Sequence, residues 1–71
     1  MAVNYAYNYA IIDTNTGMCI QVETSTEPDK ADGIGCIEIP VYDQEYLLKY
    51  YIDGNWYEDA AGTIPWQSSL L

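Results

Sequence analysis

The chain of 71 residues contains no histidine, no phenylalanine and no arginine, and its only cations are Lys30 and Lys49. Binding to nucleic acid sets cations against phosphates, so two lysines against eleven Asp and Glu, a formal net charge of -9, exclude direct nucleic-acid binding. The same sign excludes an anionic membrane surface, and no apolar run approaches the ~20 residues of a spanning helix. Without His there is no imidazole to act as base, and no Ser or Cys constellation or Gly-rich phosphate loop takes its place. The carboxylate pairs Asp43 with Glu45 and Glu58 with Asp59 therefore read as solvated acidic surface. A non-enzyme with no cofactor and no metal is expected. Cys19 and Cys36 are too few for a disulfide scaffold and lack the C-x-x-C spacing or His partners of a zinc site. Free thiols are the expected state, with a cross-strand disulfide as the alternative.

What the chain does have is aromatic surface, 8 Tyr and 2 Trp. Tyr and Trp combine a large apolar body with a polar tip and suit half-wet interfaces. One domain of this size buries only about 60% of the surface its unfolded chain exposes. A thin core must then be helped by large side chains, by self-assembly or by a larger partner.

Strand-like alternation runs through residues 5–13, with Tyr5, Tyr7, Tyr9 and Ile11 on one face and Ala6, Asn8, Ala10 and Ile12 on the other. The turn sequence DTNTG separates it from a second alternating run, in which Met18, Ile20 and Val22 oppose Cys19, Gln21 and Glu23. Residues 26–33 carry Pro28, Gly33 and alternating charge, the composition of an exposed loop. A third strand, with Ile37 and Ile39 on one face, ends at Pro40, which cannot donate to a ladder.

Asp43 is a good N-cap, and Glu45 would lie in the first turn of a short helix, where a carboxylate complements the helix dipole. In YYIDGNWYEDAAG, Asp53-Gly54 between apolar runs predicts a two-residue type I′ hairpin, because both central residues need positive φ. The fold class expected is mainly β, a small antiparallel sheet of about five strands in the order ββ, loop, β, short helix, ββ. Residues 1–62 form the domain and 63–71 a C-terminal arm. Trp56, Tyr51, Ile37, Ile39, Ile20, Val22 and Ile12 or Ile11 are the expected core.

The DTNTG turn has Asp13, Asn15 and Gly17 at the spacing with which calcium loops open. The Gly falls one position early and Thr24 stands where the bidentate Glu belongs, so turn-stabilising side chains are the expected role.

Two resemblances are carried by longer stretches. Gly54, Trp56, Tyr57 and Gly62 resemble one unit of choline-binding and cell-wall-binding repeats, which hold a quaternary amine in an aromatic cage shared between successive repeats. A single unit has no neighbour to complete that cage. From YAIID through CIEIPVYDQEYLLKYYIDGNWYED, the order of elements resembles small domains of tail and fibre proteins of phages of Gram-positive bacteria. Tyr9, Ala10, Ile12, Asp13, Ile39, Pro40, Tyr42, Asp43, Leu48, Lys49, Tyr51, Gly54 and Trp56 carry the match.

The second resemblance implies a non-enzymatic phage virion or tail-associated module that works by protein contact. The expected partners are a protein, a homo-oligomer or a larger assembly of which the chain is a subunit. Expected contact residues are Tyr5, Tyr7 and Tyr9 on a first strand at a sheet edge, Tyr57 on the hairpin, and Trp66, Leu70 and Leu71 on the arm. The start MAVNYAYNYAII lacks the basic residues and cleavage site of a secretory signal, so virion or host cytoplasm is the expected location. Two alternatives come from other features. Eleven acids suit an inhibitor of a host defence nuclease that presents carboxylates in place of phosphates. The rings of Tyr51, Trp56 and Tyr57 suit a binder of cell-wall or carbohydrate ligands.

Overall fold

The computed structural model describes residues 7–71, so Tyr5 lies outside the described residues. Among the described residues five strands follow in the expected order: β1 (Tyr7–Ile12), β2 (Cys19–Ser25), β3 (Cys36–Ile39), β4 (Tyr50–Ile52) and β5 (Asn55–Tyr57), with a single 3-10 turn at Gln44–Tyr46. They divide into an antiparallel three-stranded sheet in the order β2-β1-β3 and a β4-β5 hairpin.

β1 is thus the central strand, whereas its aromatic alternation had suggested an edge. The reason is β3. After the loop the chain returns to pair Asn8 with Ile39 and Ala10 with Ile37, on the side of β1 away from β2. Tyr9 is consequently buried completely, and its hydroxyl donates to the carbonyl of Glu27.

The DTNTG turn is held by its own groups. The Gly17 N–H donates to Asp13 O, Asp13 Oδ1 accepts from Asn15 N at 2.9 Å, and Gly17 adopts φ +81°. The loop before β3 is organised by one carboxylate: Asp32 Oδ1 accepts from the N–H groups of Ile34, Gly35 and Cys36 at 2.9, 2.8 and 2.9 Å. Those bonds hold the Asp32 carboxyl below its ordinary range.

The alternation of β2 is broken. Ile11 faces Gln21 but Ile12 faces Cys19, so Ile20 is the extra residue of a β-bulge. The bulge turns both Cys19 and Val22 into the core and leaves Ile20 exposed, correcting its expected burial. Cys19 shares the face of Ile12, and Cys36 that of Ile11, so the two thiols lie on opposite faces of β1. Two strand spacings of ~4.8 Å also separate them, beyond the ~7 Å that a disulfide bridges. Both are free and buried.

On the face of Ala10 and Ile12 the core gathers Cys19, Val22, Ile39 and Tyr46, with Ile37, Val41, Leu47, Tyr51, Trp56 and Trp66 packed against it. The hairpin joins the sheet backbone to backbone. Leu48 donates to Cys19 O at 2.9 Å, Cys19 to Lys49 O at 2.8 Å, and Tyr51 to Gly17 O at 2.9 Å. Its turn is the expected one, with Asp53 at φ 50° and Gly54 at φ 85°.

Candidate interaction surface

The residues of the hairpin and the last segment form one aromatic cluster. The Tyr46 ring meets Trp56 edge-on at 4.9 Å and Trp66 edge-on at 4.8 Å, and Tyr51 lies 5.0 Å from Trp56. Pairs of this geometry contribute about 0.5–1.5 kcal/mol beyond their buried area. Lys49 Nζ sits 4.9 Å from the Trp66 ring centroid, so the chain's own ammonium occupies that ring.

Sequence patterning missed Tyr46, which is buried at the centre of this cluster. The available signal was its position three residues after the N-cap, where it closes the 3-10 turn against the sheet. Asp43 accepts from Glu45 N at 2.9 Å and, across 25 residues of chain, from the hydroxyl of buried Ser68. The Ser68 bond, then the Glu45 amide and the nearby Lys49 charge, hold the Asp43 carboxyl below its usual range. Nothing in the sequence marked Ser68.

The last segment therefore docks on its own domain. Glu58 donates to Ile64 O at 2.8 Å, Trp66 to Trp56 O at 3.0 Å, and Tyr57 bridges Pro65. Asp59 caps the turn that starts this segment, accepting from Thr63 and Ile64 N–H groups. Gly62, at φ +70°, is needed there for space as well, since a Cβ would come within 3.2 Å of Ile52 Cδ1. Trp66, expected to reach outward as an anchor, is half-buried in its own core because Tyr46 and Lys49 bracket it.

Among the expected contact residues, then, Tyr9 is internal, and Tyr7, Tyr57 and Trp66 are half-buried. Leu70 and Leu71 remain open at 61% and 59% exposure, and two further side chains not expected as contact residues are also open, Ile20 at 53% and Leu48 at 66%. Ile20 and Leu48 are backbone neighbours, because the Cys19 carbonyl that precedes Ile20 accepts the Leu48 N–H. Leu48 also has φ 71°, in the left-handed region that costs an L-residue about 1–2 kcal/mol. Ile34 and Ile64 are exposed too, one at each irregular segment.

Folding gathers some of the acids. Glu23 and Glu38 both stand opposite Tyr9, and the loop carrying Glu27 and Asp29 crosses that same face. Lys30 pairs with Glu23 within it, which raises the lysine's pKa. Among the described residues no helix is long and apolar enough to cross a membrane. Comparison with protein-family models, with curated proteins and with solved structures finds no match for this chain.

Proposed function

We propose that the chain is a non-enzymatic protein-contact module associated with a phage virion or tail. The observation that carries the reading is the pairing of a small, well-satisfied core with large apolar side chains left in solvent, Leu70 and Leu71 at one site and Ile20 and Leu48 at another. Exposed apolar surface beyond what a monomer needs marks contact sites. The order of elements that resembles phage tail and fibre domains supplies the setting.

Mass spectrometry of purified particles of the phage carrying the gene tests this reading. The chain is expected there in fixed ratio to structural proteins, and its presence in host lysate alone would count against a virion role. Leu70→Ser with Leu71→Ser is the variant to compare. Deleting residues 63–71 would also remove Trp66 from the core and confound the result.

A second reading, an acidic inhibitor of a host defence nuclease, draws on the cluster of Glu23, Glu27, Asp29 and Glu38 around one face. Such an inhibitor would lose its effect on Glu27→Lys with Glu38→Lys, and retained inhibition would dismiss the mimicry.

A further inference from the structure

The three-stranded sheet has two edges, and the chain closes them unequally. In an antiparallel ladder the N–H and C=O of one residue point to the same neighbour, and successive residues alternate sides. Ile12 donates to Gly35 O at 2.9 Å, on the β3 side. Ile11 and Tyr9 therefore bond toward β2, where their partners are Gln21 and Glu23. It follows that Val22 and Thr24 aim their N–H and C=O groups away from the sheet, and among the described residues no backbone group pairs with them there.

The rest of the edges is covered. On β2, Cys19 is taken by Leu48 and Lys49. On β3, the outward groups of Cys36 are taken by Asp32 and Gly33, leaving Glu38 as the one outward residue without a backbone partner among the described residues. Leu48 explains why the cover stops where it does. Its left-handed backbone lies where the chain passes from the 3-10 turn to the edge, and among the described residues none before it makes a backbone hydrogen bond to Val22. The open stretch thus begins beside the exposed Ile20 and Leu48.

We propose that the outer edge of β2 at Val22 and Thr24 receives an extended segment of a cationic protein partner, which adds a strand to the sheet. The inference rests on the protein-contact reading above and names the partner's chemistry. Backbone bonds would hold the added strand, as in other cases of β-augmentation. The register argues against a second copy of this chain. Val22 and Thr24 are symmetric about Glu23, so the two-fold pairing of β2 that uses both of them sets Glu23 against Glu23, and like charges directly opposite are destabilising. A strand alternating Lys or Arg with apolar residues instead brings cations to the loop acids Glu27 and Asp29 and to Glu23, which Lys30 already meets from the loop, on the Tyr9 face of the strand.

The test uses the full chain and two short synthetic peptides of equal length, one alternating Lys with Val and one alternating Glu with Val. Amide exchange followed by NMR should show the Lys peptide slowing exchange at Val22 and Thr24 at least tenfold, an effect that weakens with salt. The Glu peptide should leave both amides unchanged. Thr24→Pro removes the outward N–H and no bond to β1, a change that an edge strand tolerates, and should lower Lys-peptide affinity at least tenfold with the melting temperature kept. If that variant proves unfolded, the amides of the unaltered chain decide alone. Equal effects of the two peptides, slowing at Glu38 instead, or unchanged exchange at Val22 and Thr24 would each overturn the proposal. So would slowing of the same amides by self-association without peptide. Particle content is a separate readout, so a chain missing from particles with these amides protected would sink the virion role and leave the edge assignment intact.

Discussion

The two faces of β1 are covered by opposite means. On the face of Ala10 and Ile12 the cover is made of rings, with Tyr46, Trp56 and Trp66 packed edge to face over aliphatic side chains. On the face of Tyr9 the cover is backbone: a polar loop whose side chains stay in solvent lays its Glu27 carbonyl on the tyrosine hydroxyl. Burial can therefore come from a segment whose side chains all stay in solvent, provided that its own polar groups are satisfied. Here Asp32 satisfies three of them.

The ring face can be broken outright. Tyr46→Ala removes the shared partner of both tryptophans and is expected to cost about 3–5 kcal/mol, of the order of the whole stability of a domain this small. Loss of cooperative thermal unfolding and of near-UV circular dichroism would show it, whereas a cooperative melt near the original temperature would mean that the rings are not the core's support.

A smaller effect is expected where the hairpin carries that face. Gly54 has φ +85°, and an added Cβ would meet nothing within 4 Å. Gly54→Ala therefore reports backbone strain alone, about 1–2 kcal/mol, and should lower the melting temperature by roughly 4–8 °C for each kcal/mol. The loop face responds to a single atom. Tyr9→Phe deletes the bond to Glu27 and should cost about 0.5–1.5 kcal/mol. Amide exchange should quicken in residues 26–33 and hardly at all in β4 and β5; a uniform increase would deny that the two covers are independent.

The smallest effect sharpens the comparison by pH. Hydrogen bonds hold the Asp32, Asp43 and Asp59 carboxyls below the ordinary range. As pH falls past the unfolded value near 4, the unfolded chain binds protons that these groups resist, so stability falls with pH from there downward. Protection against exchange, taken relative to the intrinsic rate at each pH, should fall in that window at the Ile34, Gly35 and Cys36 amides on the loop face, and at the Thr63 and Ile64 amides near the rings. Asp32→Asn should remove the loop's response and spare the other.

Much of this division was legible in the residues, though not which side was inside. Alternation assigned Tyr7, Tyr9 and Ile11 to one face of β1 and Ala10 and Ile12 to the other, and the register agrees. Period-2 patterning cannot say which face meets solvent when both carry large apolar groups, and a strand's rank in the sheet depends on long-range pairing that it does not encode. The Asp53-Gly54 turn and the Asp43 cap were readable because each rests on local chemistry. The bulge at Ile20 was not, since a single extra residue leaves composition unchanged while shifting every following side chain. The contact surface suffered most: Tyr9 and Trp66 looked available because their partners, Glu27 and Tyr46, stand 18 and 20 positions away.

The position of the two thiols on opposite faces of β1 gives the molecule a pair of internal clocks. Cys19 lies under the rings and Cys36 on the side of the loop, and burial raises both thiols above their ordinary pKa. Each can react with an alkylating reagent only when its own cover lifts. The two labelling rates, read from one sample by mass spectrometry, would then time the opening of each face separately, with no foreign probe in the chain.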